Sequence, residues 1–172
     1  MNKKNNAQTR AITLSQTFVT SVLVFLSVAV PFFLEKPQLL VGSAVNCLLI
    51  LAALNIKEER NLLPVVLLPS LATLLRGLVF GPFTFFLVYM MPFIWMGNYV
   101  LVYGLRKINN KFLALMVGGV LKVSILFVVA NFLVKLSILP KIFITSMGLF
   151  QLYTLILGSI AAALIQKIYI RK

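Results

Sequence analysis

The chain contains no histidine, one cysteine and only three acidic residues, Glu35, Glu58 and Glu59. Each shortage closes a class of chemistry. Without histidine and with so few carboxylates, little is left for acid–base catalysis or for holding a metal ion. A lone Cys47 permits no intramolecular disulfide, zinc site or iron–sulfur cluster from this chain. The expectation is a protein with no catalytic residue, no metal and no cofactor, and not an enzyme by itself.

Charge of either sign is scarce. Only 11% of the 172 residues are charged and 61% are hydrophobic, whereas a soluble domain carries about a quarter charged. So much apolar surface cannot be buried within one small chain, which points to an integral membrane protein with the lipid bilayer as its solvent. The net charge of +13 would suggest nucleic acid in a soluble protein. Here the basic clusters are short, lie between apolar runs and lack an aromatic reading surface, so no nucleic-acid role is expected. Gly118 to Ser124 lacks the Gly-Lys-Ser/Thr spacing of a phosphate loop, and an ATPase site is not expected either.

What is present is a series of long apolar runs. The first follows the basic stretch MNKKNNAQTR and extends from Ala11 to Leu34, too long for the apolar region of a signal peptide. Six segments long enough to cross a bilayer are expected near 11–34, 38–56, 62–80, 83–104, 112–137 and 143–168. They give an all-α membrane protein with one six-helix transmembrane domain over 11–168. It is flanked by a cytoplasmic N-terminal segment, 1–10, and a cytoplasmic tail, 169–172. Placing the N-terminus inside gives the cytoplasmic face Lys3, Lys4, Arg10, Lys57, Arg60, Arg106, Lys107, Lys111, Lys167, Arg171 and Lys172. The other face receives only Lys36, Lys135 and Lys141. This bias puts both termini of a multi-pass cell-membrane protein in the cytoplasm.

Two cations remain inside apolar runs, Arg76 and Lys122. Lys122 falls near the midplane, too deep for its side chain to reach either surface, while Arg76 is close enough to the outer end to snorkel. Asn46 and Gln151 fall at middle to outer depth on two other helices, and no acid shares that depth. Any of these polar groups can be interhelical glue. Together they can also converge on a cavity whose counter-ion is an anionic ligand. Gly118 and Gly119 beside Lys122, Pro92 before Gly97-Asn98, and Pro64 and Pro69 in the third segment offer room and freed carbonyls; Trp95 and Tyr99 offer an aromatic wall. Small residues form stripes at every fourth position, Thr13, Thr17 and Ser21 in the first segment and Thr154, Gly158 and Ala162 in the sixth. These suit either internal contacts or docking to another membrane protein.

Three stretches carry a resemblance to a known family. "GSAVNCLLILAAL" (42–54), "LPSLATLLRGLVFGP" (68–82) and "MPFIWMGNYVLV" (91–102) resemble the substrate-binding S components of energy-coupling-factor transporters. Such sequences carry a Gly-x-x-x-Asn helix, a Pro-led third helix and a Pro-Phe-Ile-x-x-Gly-Asn fourth helix. The resemblance implies the six-helix S-component fold and high-affinity capture of a small vitamin-like or cofactor-like solute from outside. It also implies a transmembrane coupling subunit and two cytoplasmic ATPases as partners. Combined with the buried polar set, it marks Arg76, Lys122, Asn46, Gln151, Asn98, Trp95 and Tyr99 as candidate substrate-binding residues. Where the family docks its coupling subunit through Ala-x-x-x-Ala, this chain has Thr13, Thr17 and Ser21. Two other readings of the composition are a non-transport scaffold of the cell envelope and the membrane anchor of a larger enzyme complex.

Overall fold

The computed structural model describes residues 2–34, 37–77 and 81–170, with side chains at 14, 16–34, 37–77 and 81–168. Among these residues the chain is helical throughout, without a strand. The α-helices are α1 (Asn2–Phe33), α2 (Gln38–Asn55), α3 (Leu63–Arg76), α4 (Leu87–Lys107), α5 (Lys111–Lys135), α6 (Ile142–Met147) and α7 (Leu149–Ile170). Short 3₁₀ turns, Glu59–Leu62 and Gly81–Phe86, lead into α3 and α4.

Five stretches are long and apolar enough to cross a membrane: Gln16–Phe33, Gln38–Asn55, Gly81–Lys107, Lys111–Lys135 and Ile142–Ile168. They agree with five of the six expected segments. The third segment, expected over 62–80, differs. Its helix has 14 residues, roughly 21 Å at 1.5 Å per residue, which is short of a span. The cause is local. Gly77 takes φ +74°, a left-handed conformation open to glycine at little cost, and its N–H bonds the Thr73 carbonyl at 3.1 Å. The apolar sequence continues, but the helix has been capped. Pro64 sits in the first turn of α3, where it breaks no helical bond, so it does not interrupt the helix as expected; Pro69 does lie within it.

The sixth segment is also divided. Gly148, at φ −101° and ψ −97°, separates the single turn and a half of α6 from α7. At the other end of the molecule, Arg106 ties the chain together. Its guanidinium donates to the Ile56 and Lys57 carbonyls at 2.7 and 2.6 Å, closing the open C-terminal end of α2. Asn110 caps α5 by accepting from the Leu113 N–H at 3.1 Å.

α2 is the central helix and packs against α1, α3, α4 and α7. It is apolar on every side, as a helix surrounded by others should be, and Leu49 and Ala52 are wholly buried. A second cluster, Leu87, Met90, Leu126, Ala130, Phe143 and Met147, joins α4, α5 and α6 near the opposite end from Arg106. The outer surfaces are apolar too. Leu14, Phe18 and Phe25 on α1, Phe112, Val120 and Val128 on α5, and Ile156 and Leu164 on α7 are all exposed. A belt of this kind suits lipid rather than water, and the chain has the build of a multi-pass membrane protein.

Candidate ligand-binding cavity

The helix ends that carry Gln38, Arg76, Leu87, Lys135 and Leu149 lie at one end of the bundle, as their alternating directions require. A cavity of about 90 Å³ occupies that half. α2 contributes Gln38, Val41, Gly42, Val45 and Asn46; α3 contributes Pro69, Ser70 and Thr73; α4 contributes Leu87, Ile94 and Asn98. Lys122 comes from α5, Ser146 and Met147 from α6, and Phe150, Gln151 and Thr154 from α7. No carboxylate is among them. Gln38 begins α2 and Asn46 lies eight residues further, so the cavity extends roughly 12 Å into the bundle.

Lys122 is 3% exposed. Its stem can lie there because Gly97 faces it: a methyl group on Gly97 would come within 3.1 Å of Lys122 Cγ. The ammonium donates to Asn46 Oδ1 at 2.5 Å, and Asn46 Nδ2 donates to Thr154 Oγ1 at 3.1 Å. Thr154 Oγ1 in turn donates to the Gln151 carbonyl at 3.0 Å. One chain of hydrogen bonds therefore links α5, α2 and α7. It consumes one of three ammonium N–H groups and leaves two without a partner among the described residues. The Gln151 side-chain amide, half-buried on the same wall, makes no hydrogen bond among those residues.

The other expected site residues are placed differently. Asn98 lines the cavity, but its Nδ2 donates to the Val66 carbonyl at 3.1 Å, fastening α4 to α3. Trp95 stands behind the wall, its indole N–H shared between Ser70 Oγ at 2.7 Å and the Leu67 carbonyl at 3.2 Å. Tyr99 is half exposed, stacked on Tyr103 with ring centroids 5.9 Å apart, and lies outside the cavity. Arg76 is not brought to the cavity either. Gly77 ends α3 at this residue, leaving the guanidinium exposed with its carbon 5.8 Å from the Phe32 ring. That is a cation–π arrangement at the end of the bundle.

Gly118 and Gly119 make room for helices rather than for a ligand. They face the Leu101 backbone of α4 and the Leu155 side chain of α7. Of the two stripes of small residues, the one on α7 is internal: Thr154 and Ala162 are buried, and Gly158 faces the α2 backbone. On α1, Thr17 and Ser21 are exposed, and the side chain of Thr13 lies outside those described. The polar lining residues that sequence reasoning did not select as binding groups are Gln38, Ser70, Thr73, Ser146 and Thr154. Thr154 was visible only as a packing residue; the others are ordinary helix-end and mid-helix polar residues with no distinguishing spacing.

A larger cavity, about 480 Å³, lies at the opposite end beside Lys57, Arg106 and Lys111. Lys57 is exposed, and the other two cations are already engaged. Arg106 holds two carbonyls and Lys111 Nζ donates to the Leu105 and Ile108 carbonyls at 2.8 and 3.3 Å. The smaller cavity has the buried, under-coordinated charge. Among the described residues no cluster of His, Cys, Asp or Glu is suited to a metal ion.

Fold and site together define a multi-pass helical membrane protein with a largely apolar cavity built around a buried lysine. Compared with known protein families, curated proteins and solved structures, the chain matches none.

Proposed function

We propose that this chain is the membrane-embedded substrate-binding subunit of an energy-coupling-factor type importer, capturing a small anionic solute from outside for ATP-driven uptake. The observation that carries the reading is Lys122: a buried ammonium that, among the described residues, has no carboxylate in its cavity and two N–H groups unspent. Intramembrane charge is costly and is retained chiefly where it binds or moves something. The distribution of basic residues supports an orientation with both termini in the cytoplasm, which turns the cavity toward the outside. In this reading the 3₁₀ turn Glu59–Leu62 and α3 together make a sixth crossing of the cell membrane. A transmembrane coupling subunit and two ATPases supply the energy, and the exposed Thr17 and Ser21 on α1 offer a surface for the coupling subunit.

The direct test is mass spectrometry of small molecules released on denaturing the detergent-purified protein, beside Lys122→Met prepared identically. The expected outcome is a stoichiometric organic anion in the wild type that the variant lacks. Phospholipid alone, equal in both, together with no thermal stabilisation by added solutes, would leave a non-transport scaffold as the better account.

A further inference from the structure

The cavity limits its occupant by charge, by size and by the character of its walls. Charge comes first. Among the described residues Lys122 is the only ionisable group lining it; the other polar lining groups are amides and hydroxyls. Arg76, the second cation within the apolar sequence, stands outside it at the exposed end of α3. A monoanion beside the ammonium leaves the cavity neutral. A dianion would leave a net negative charge that no second cation among the described lining residues opposes, a penalty that no neutral amide repays.

Size is the second limit. An apolar cavity of about 150 Å³ accommodates benzene, with six ring atoms. The space here is about 90 Å³. A ring-bearing or long-chain acid would leave part of itself outside this inner space, toward the open side of the cavity, and lose contacts there.

The walls supply the third. Val45, Ile94 and Met147 face the space with one aromatic ring, Phe150, whereas the Trp95 indole is tied behind it to Ser70. A planar aromatic ligand finds no flat pair of rings to lie between. An ammonium is a compact point charge, suited to one oxygen of a carboxylate rather than to two-pronged recognition. Gln151 then lies free to bond the second oxygen or a hydroxyl.

From these three limits we infer that the cavity takes a singly charged aliphatic carboxylate of about five heavy atoms or fewer, held by Lys122 and oriented by Gln151. The inference rests on the reading of this cavity as the capture site, and narrows it from anions in general to short monocarboxylates.

The experiment is equilibrium dialysis and thermal unfolding of the full chain in nanodiscs of uncharged lipid. The probes are propionate and glycolate, hexanoate for length, oxalate for charge, nicotinate for ring character and glycerol 3-phosphate for a phosphate head. Propionate or glycolate is expected to bind saturably and at least about tenfold more tightly than every other probe. Lys122→Met should abolish that binding. Gln151→Leu, which leaves the buried hydrogen-bond chain through Asn46 intact, should weaken it and serves if the lysine variant does not fold. Met147→Ala should admit hexanoate. Tighter binding of oxalate, nicotinate or glycerol 3-phosphate, lost in Lys122→Met, overturns the inference while the capture reading survives. Propionate binding that persists in both variants overturns the assignment of the site. If no probe binds but the purified protein carries another stoichiometric anion, the inference fails alone. If it carries none and Lys122→Met unfolds no earlier than wild type, both fail.

Discussion

Lys122 is the residue on which the molecule turns. Burying an ammonium costs several kcal/mol even after relaxation. Its single hydrogen bond among the described residues, to Asn46, returns about 1.5–3 kcal/mol as a bond involving a charged group. The balance is unfavourable, and an anion entering the cavity has that difference to gain. Asn46 is the natural place to alter it. Asn46→Asp changes one atom group and puts a carboxylate against the ammonium. We expect the variant to be at least as heat-stable as wild type, because the buried charge acquires a partner. Affinity for an external anion should fall by about 100-fold or more, since the ligand now competes with an internal one. Thermal unfolding and anion binding, measured on the same preparation, check both halves. A variant that keeps full affinity would show that Lys122 does not meet the ligand.

Among the elements, the seam between α2 and α7 positions the site most directly. It exists because Gly158 has no side chain. A methyl group there would sit 2.6 Å from the Ser43 carbonyl oxygen, 2.8 Å from Asn46 Cβ and 2.9 Å from the Cys47 nitrogen. Most of these neighbours are backbone or branch from it closely, so they cannot swing away. Gly158→Ala should therefore push α7 from α2, lengthen the Asn46–Thr154 hydrogen bond and cost about 1–3 kcal/mol of stability. Gly104→Ala is the matched control on α4. Its nearest neighbour would be 3.6 Å away, an ordinary contact, and helix propensity favours alanine by about 1 kcal/mol. Thermal unfolding of the pair should show a lowered midpoint for the first and an unchanged or raised one for the second. The seam between α3 and α4 is held differently, by Trp95 and Asn98 donating to carbonyls at 67 and 66. Two residues expected to meet a ligand thus fasten the wall behind it.

At the scale of the whole molecule, the proposed orientation makes a prediction about access. With Cys47 buried and replaced by alanine, single cysteines can be placed at exposed lysines on opposite ends of the bundle. Lys57→Cys lies in the connection after α2, and Lys141→Cys lies before α6. In intact cells, a membrane-impermeant maleimide should label Lys141→Cys and should reach Lys57→Cys only after the membrane is opened. The reverse pattern would turn the cavity toward the cytoplasm and remove the case for capture from outside.

Hydropathy and length determined that this is an all-helical membrane chain, because a bilayer core fixes how long and how apolar a spanning segment must be. The same one-dimensional property located five spans and singled out Lys122 as a charge that cannot reach the surface. Asn46 and Gln151 were legible for a related reason, being polar groups at the depth of that lysine. The stop after Arg76 was written in Arg76-Gly77, a basic residue in the last helical turn followed by glycine, but the unbroken apolar run obscured it. Which side of each helix faces inward was decided by tertiary packing alone. Depth along a helix is a matter of counting; rotation about its axis depends on which neighbour supplies a gap, as Gly97 does for Lys122 and Gly158 does for Asn46. That is why Tyr99 lies outside the cavity, while Thr154, read only as a packing residue, stands at the centre of its hydrogen bonds; Arg76 is left out because α3 ends at it.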